Sequence, residues 1–304
     1  MTDLATTIGS VRLRAPVLTA SGTAGHGAEF ARYMQPATLG AVVVKSMKAG
    51  EWAGNPAPRV HPTAAGMINS VGLQGKGIPH WLEHELPDLV ATGATVVASI
   101  WGNSIDDYRE AAAALAGAPP EVVAVEVNVS CPNLEDRSKM FAHSAASTRE
   151  AIAATAGCGR PRWAKLSPNA ADLPEIAIAA HEAGAEAVVL TNTLLGMVID
   201  TELRRPVLGA KKGGLSGSAM HPVAIRAVYD VHEAAPDLPI VGVGGAADGT
   251  DVVEFLLAGA SAVEVGTATF ADPRAPRRIL KEFSNWCDQH GVVDIAELIG
   301  AAHG

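Results

Sequence analysis

Several short apolar runs in this sequence end on residues able to do chemistry. One ends at Ala20-Ser21-Gly22, another at Lys45-Ser46, and a third at Asn128-Val129-Ser130-Cys131-Pro132-Asn133. Lys165 sits inside the apolar stretch Trp163-Ala164-Lys165-Leu166, and Thr191-Asn192-Thr193 closes a further run. Lysines are seldom buried unless a partner or a function offsets their desolvation. Lys45 and Lys165 meeting at one mouth would therefore suit an anionic or electron-rich ligand. Cys131 lies between Asn128 and Asn133, side chains able to hold a polar ligand. On its own it reads equally as a reactive thiol or an inert one. Gly244-Gly245 and Gly266-Thr267 follow the last two runs, where bare backbone N–H groups can approach a phosphate.

Two tempting motifs carry less. His80-Trp81-Leu82-Glu83-His84 matches a zinc-peptidase pattern that puts both imidazoles on one helical face. No third ligand presents itself, and an amphipathic helix with Trp81, Leu82 and Leu86 inward explains the segment, so no metal is expected. Gly242-Val243-Gly244-Gly245-Ala246-Ala247 imitates a dinucleotide fingerprint, with Glu264 about twenty residues on. It lies near the end of the chain, whereas such a fingerprint opens its fold.

Positioning these residues requires a regular frame. Apolar, mostly β-branched runs recur at Pro16–Ala20, Ala41–Lys45, Thr95–Ile100, Val122–Asn128, Arg162–Ser167, Glu186–Thr191, Leu238–Gly242 and Ala262–Gly266. Between most of them lie Ala-rich stretches with helical periodicity, among them Ile105–Ala116, Ser147–Ala156, Leu173–Ala183, Pro222–Ala235 and Gly249–Ala258. Strand alternating with helix implies parallel pairing, and eight such units predict an α/β fold, a (β/α)8 TIM barrel. An open doubly wound sheet is the alternative. Ser46–Pro79 and Pro132–His143 break the pattern and are expected to be functional loops at the C-terminal mouth.

Composition sets the outer limits. The 304 residues are 48% hydrophobic and 18% charged, which supports a large core and excludes a disordered chain. No linker or composition break divides them, so one domain over 1–304 is expected. A net charge of −9 disfavours nucleic acid as a partner. Three cysteines are too few for a disulfide framework or a four-thiolate iron–sulfur cluster. Without a signal peptide or an 18-residue apolar span, the sequence reads as a soluble cytoplasmic protein.

Asn128-Val129-Ser130-Cys131-Pro132-Asn133 resembles the N-x-S-C-P-N active-site loop of the class 1 dihydroorotate dehydrogenases. The likeness extends through Ala20-Ser21-Gly22-Thr23, Lys45-Ser46, Asn69-Ser70-Val71-Gly72-Leu73-Gln74, Lys165-Leu166-Ser167-Pro168-Asn169 and Thr191 to Met197. Gly213-Gly214-Leu215-Ser216-Gly217 and Val265-Gly266-Thr267-Ala268 complete it. The resemblance implies an FMN-containing barrel that oxidises dihydroorotate to orotate in pyrimidine (UMP) synthesis. It implies Cys131 as the general base at C5, with the C6 hydrogen passing to the flavin as hydride, and Lys45 reaching both flavin and substrate. It also implies a substrate cradle of Asn69, Ser70, Val71, Gly72, Leu73, Asn128, Asn133, Asn192 and Thr193. FMN contacts are implied at Ser21, Lys45, Ser46, Ser99, Asn128, Lys165, Thr191, Gly217, Gly244, Gly245, Gly266 and Thr267.

Gly72-Leu73-Gln74 and Asn192 to Met197 resemble class 1B, whose members pass electrons to NAD through a separate FAD and [2Fe–2S] subunit. That subclass implies a homodimer of such chains within a heterotetramer. Ser99, Lys76 and the charged Leu134–Lys139 stretch depart from the family pattern. An FMN barrel acting on another dihydropyrimidine, or a non-redox phosphate-binding lyase or isomerase, are the competing readings.

Overall fold

The computed structural model describes residues 2–130, 132–133 and 139–304. Eight parallel strands close into a barrel: β1 (Val17–Thr19), β2 (Ala41–Val43), β3 (Val96–Trp101), β4 (Val122–Asn128), β5 (Arg162–Lys165), β6 (Ala187–Leu190), β7 (Ile240–Val243) and β8 (Ala262–Val265). Closure comes from β8 pairing with β1 through Val263↔Val17 and Val265↔Thr19. The strands are buried almost throughout, which is why their sequences run continuously apolar instead of alternating.

Among the described residues, seven α-helices of more than one turn surround the barrel. They are α1 (78–91, with one wider π turn at Trp81–Glu85), α2 (Ile105–Leu115), α3 (Ala145–Ala154), α4 (Leu173–Glu182), α5 (His221–Ala234), α6 (Gly249–Leu257) and α7 (Ala275–His290). Only 3-10 turns at Glu29–Arg32 and Pro36–Thr38 connect β1 to β2. Helix starts are fixed locally: Ser104 with Asp107, and Asp248 with Asp251, form reciprocal caps that satisfy the first free N–H groups of α2 and α6. Trp81 and Leu86 are buried and Leu82 packs on the core, as an amphipathic α1 requires. No helix among the described residues is long and apolar enough to cross a membrane.

The core has two parts. One lies between strands and helices; the other fills the barrel, where Leu18, Val43, Val97, Trp163 and Val189 meet. An N-terminal hairpin, Thr6–Ile8 with Val11–Leu13, plugs the barrel floor by adding Ile8, Val11 and Leu13 to that interior. Ser46–Pro79, expected to be irregular, contains a hairpin instead. Val60–Thr63 pairs with Gly66–Asn69, which pairs with Gly213–Ser216 and then Leu194–Gly196. The hairpin is half exposed and holds a proline, and its third strand comes from far along the chain, so local periodicity is weak.

Phe255 of α6 packs against β7 at Gly242, where a Cβ would sit 2.4 Å from the ring. Phe255→Ala should cost about 3–5 kcal/mol in denaturant unfolding, because neither backbone can collapse into the void.

Candidate active site

Residues at the C-terminal ends of β1, β2, β4, β5, β6, β7 and β8 line one cavity of about 230 Å³. The four-stranded sheet covers it, contributing Val60, Met67, Asn69 and Ser216. Gly244, Gly245, Gly266 and Thr267 form one wall, with Gly217 beside them. Two of these glycines are sterically required. Gly245 has φ +81°, and a Cβ there would lie 2.8 Å from the His221 backbone nitrogen and 2.9 Å from the Gly217 carbonyl oxygen. At Gly217, φ +102°, it would lie 2.5 Å from the Gly66 Cα. Two backbones and a loop thus meet at a wall with no side chain in the way, the arrangement that suits an anion held by N–H groups.

The opposite side is amide-rich and pre-arranged. Asn128 Oδ1 accepts from Asn192 Nδ2 at 3.2 Å and from the Ser130 N–H at 3.1 Å. Asn192 Oδ1 accepts from the Thr193 N–H at 2.8 Å, and Asn69 Nδ2 donates to the Gly214 carbonyl at 3.3 Å. Tyr108 of α2 donates to the Asn128 carbonyl at 2.8 Å, anchoring the end of β4.

The two lysines differ. Lys165 is 4% exposed and pairs with Glu264 at 2.8 Å and Glu126 at 3.1 Å; it also donates to Ser21 Oγ at 3.2 Å. Burial opposes its charge, but the two carboxylates outweigh burial and hold it above the ordinary lysine range. Lys45 is half-buried and has no ion-pair partner among the described residues. Burial, reinforced by the nearby Arg59 charge, lowers its pKa. Lys45 is therefore the cation available to an incoming anion, whereas Lys165 is already neutralised.

Of the residues singled out from the sequence, Ser21, Lys45, Ser46, Asn69, Val71, Leu73, Asn128, Lys165, Thr191, Asn192 and Thr193 line the cavity with the glycine wall. Ser99 does not: it is fully buried one layer below, bonded to Ser46 at 2.8 Å and donating to Glu126 at 2.7 Å. Ser70 and Gly72 alternate with the lining residues Val71 and Leu73, and Ser70 Oγ accepts from Asn55. Cys131 lies outside the described residues, as does the side chain of Asn133, whose backbone pairs with Lys139. Sequence reasoning passed over Glu126 and Ser216, and it noted Glu264 only within the imitation fingerprint. The signal available was a lone carboxylate inside each of the apolar strands Val122–Asn128 and Ala262–Val265.

A closed parallel barrel whose mouth carries a glycine wall, a buried lysine and an amide-rich side has the architecture in which barrel enzymes build their sites. Comparison makes the class specific: a family model described as dihydroorotate dehydrogenase matches residues 3–286. A protein of Geobacter sp. (strain M21) named "Dihydroorotate dehydrogenase B (NAD(+)), catalytic subunit" is 43% identical over 300 residues, covering 98% of each chain. Identically named proteins of Desulforudis audaxviator and Bacteroides thetaiotaomicron are 46% and 40% identical. They cover 98% and 99% of this chain, and 97% and 99% of their own length. The chain belongs to the dihydroorotate dehydrogenase family, whose cofactor is a flavin. The donor set fits such a group: beside the glycine wall, the buried Thr191 hydroxyl has no hydrogen-bond partner among the described residues.

Removing the Lys165 ammonium should expose how much the site depends on it. Lys165→Met leaves two carboxyl groups buried without their counter-ion and should destabilise by about 3–5 kcal/mol in denaturant unfolding. Adding Glu126→Gln and Glu264→Gln to the same variant should recover most of that loss.

Proposed function

We propose that this chain is a single-domain catalytic subunit, spanning 1–304, that oxidises dihydroorotate to orotate in cytoplasmic pyrimidine synthesis, with FMN as its cofactor and NAD as final acceptor. The observation carrying this is the near-full-length similarity to proteins named dihydroorotate dehydrogenase B (NAD(+)) catalytic subunits, joined to a cavity with an amide cradle, a glycine wall and, among the described residues, one lysine without an ion-pair partner.

In this reading Gly244, Gly245, Gly266 and Thr267 hold the FMN phosphate through backbone N–H groups. Ser21, Ser46, Asn128, Lys165, Thr191 and Gly217 hold the rest of it, with Ser99 supporting Ser46 from below. FMN supplies the acceptor for the electron pair and hydrogen that leave C6 of the substrate. Lys45 faces the substrate carboxylate, the one charge a small ring acid brings to this cavity. Asn69, Asn128, Asn192 and Thr193, together with Asn133 and the Ser70–Leu73 backbone, match the alternating donors and acceptors of the ring amides. Fixing Asn128 and Asn192 against each other orients the ring before reaction, so little side-chain freedom is lost on binding. Cys131, three residues past Asn128, takes the C5 proton. A thiol has an ordinary pKa near 8.5 and is readily tuned to act close to neutrality.

Electrons must then leave. The sequence has three cysteines, one fewer than a [2Fe–2S] cluster needs, and Cys158 and Cys287 are buried in the helical layer. An FAD and [2Fe–2S] subunit therefore completes the path to NAD, docked on a homodimer of this chain.

The protein should purify with about one FMN and no FAD, and Cys131→Ala should keep the flavin while slowing its reduction by dihydroorotate about 10²–10⁴-fold. Stopped-flow absorbance decides this; a parental rate in the Ala variant would falsify the base assignment. In steady-state assays the isolated chain should reduce artificial dyes with dihydroorotate but turn over poorly with NAD. Rapid NAD or fumarate reduction without a partner would overturn the electron path.

A further inference from the structure

The floor of the cavity is a polar layer inside the barrel. Asn128 Nδ2 donates to Ser46 Oγ at 3.4 Å, Ser46 bonds Ser99 at 2.8 Å, and Ser99 donates to Glu126 Oε1 at 2.7 Å. Glu126 Oε2 meets Lys165 Nζ at 3.1 Å, and Lys165 reaches across to Glu264 Oε2 at 2.8 Å. Glu126 stands on β4, Lys165 on β5 and Glu264 on β8, so the contact spans the barrel interior. Both glutamate side chains are wholly buried.

Two carboxylates around one ammonium would leave a net negative charge in a dry barrel, where an uncompensated charge is costly. Both carboxyl groups lie within hydrogen-bond reach of the one Lys165 ammonium, at 3.1 and 2.8 Å. Two like charges held that close in a dry site favour a proton on one of the two carboxyl groups. Glu264 Oε1 is buried without a hydrogen-bond partner among the described residues. The charges acting most strongly on Glu264 are those of Lys165 and Glu126. The strands flanking it, β7 and β1, present no titratable side chain.

We propose that Glu126 and Glu264 are positioning residues that clamp Lys165 from two sides and share a single proton, making the clamp neutral when the proton is present and anionic when it is lost. The electrostatics agree in direction. On Glu126 burial is outweighed by the Lys165 charge and the Ser99 hydroxyl, which hold it below the ordinary carboxylate range. On Glu264 burial, with the Glu126 charge, overcomes Lys165 and pushes the pKa up to about 8.

Lys165 lines the cavity, so the clamp's charge acts on whatever lies above it. Its effect on a cofactor rests on the flavin reading; the shared proton does not. Negative charge added above the floor by two-electron reduction should draw the proton back to a clamp that has lost it.

Infrared spectra of the purified protein on either side of pH about 8 test the proton directly. The wild type should show a protonated-carboxyl band on the acid side that disappears on the alkaline side. Either Glu264→Gln or Glu126→Gln should abolish it, because a single carboxylate beside Lys165 ionises fully. Absence of the band in the wild type, or its survival in Glu126→Gln, overturns the sharing. The wild-type spectra carry the test even if a variant does not fold. Spectroelectrochemical titration of the flavin-loaded protein reads the coupling. On the alkaline side the wild type should take up one more proton per flavin reduced than Glu264→Gln, about 30 mV per pH unit for a two-electron couple. Equal slopes overturn the coupling. A protein without flavin that keeps the infrared band would refute the flavin reading while leaving the clamp standing.

Discussion

A lysine ammonium inside a closed barrel has no water to solvate it, and the cost of that desolvation governs the upper half of this structure. Lys165 projects inward from β5, a short strand whose Trp163 and Ala164 are wholly buried. Its charge is tolerated because β4 and β8 each place a glutamate against it. Those glutamates bring further polar partners: Ser99 must satisfy Glu126, and Ser46 is engaged by Ser99. The top layer of the barrel is consequently polar, where such barrels are usually filled by branched apolar side chains. Below it, Leu18, Val43, Trp163 and the plugging hairpin restore an ordinary apolar core.

The barrel was readable in the sequence because each strand is buried on both faces and ends where the chain meets the mouth. A run such as Val42-Val43-Val44 followed by Lys45-Ser46 records both facts. The N-terminal hairpin was not readable: its strands are three residues each, too short to establish a period. The covering sheet escaped for another reason. Gly66–Asn69 gains its second partner from Gly213–Ser216, about 150 positions on, and no local pattern encodes such a pairing.

The same division holds at the site. Polar residues terminating strands, such as Asn128 and Thr191, are visible because they break apolar runs. The role of a charge within a strand is not visible, since its counter-ion lies on another strand. Lys45 and Lys165 read alike in sequence, yet one is half-buried and has no ion-pair partner among the described residues while the other is held by two carboxyl groups. Glu264, lying beyond a glycine-rich turn, mimicked the acidic residue of a nucleotide fold. Its place opposite Lys165 follows only from barrel closure, which brings β8 across from β5.

Net charge and local field also part company here. At −9 overall, the chain would be judged hostile to anions. Inside the cavity the balance differs: the clamp around Lys165 contributes no positive excess, and Lys45, near the Arg59 charge, has no ion-pair partner among the described residues. Low-dielectric walls concentrate the field of such a cation, whereas solvent screens the acidic surface within about 10 Å. A small carboxylate therefore meets attraction only after it has entered the mouth, and a polyanion too large to enter meets the repulsive surface alone. Compensating Lys165 while leaving Lys45 without an ion-pair partner among the described residues thus sets a local positive field inside a protein whose net charge is negative.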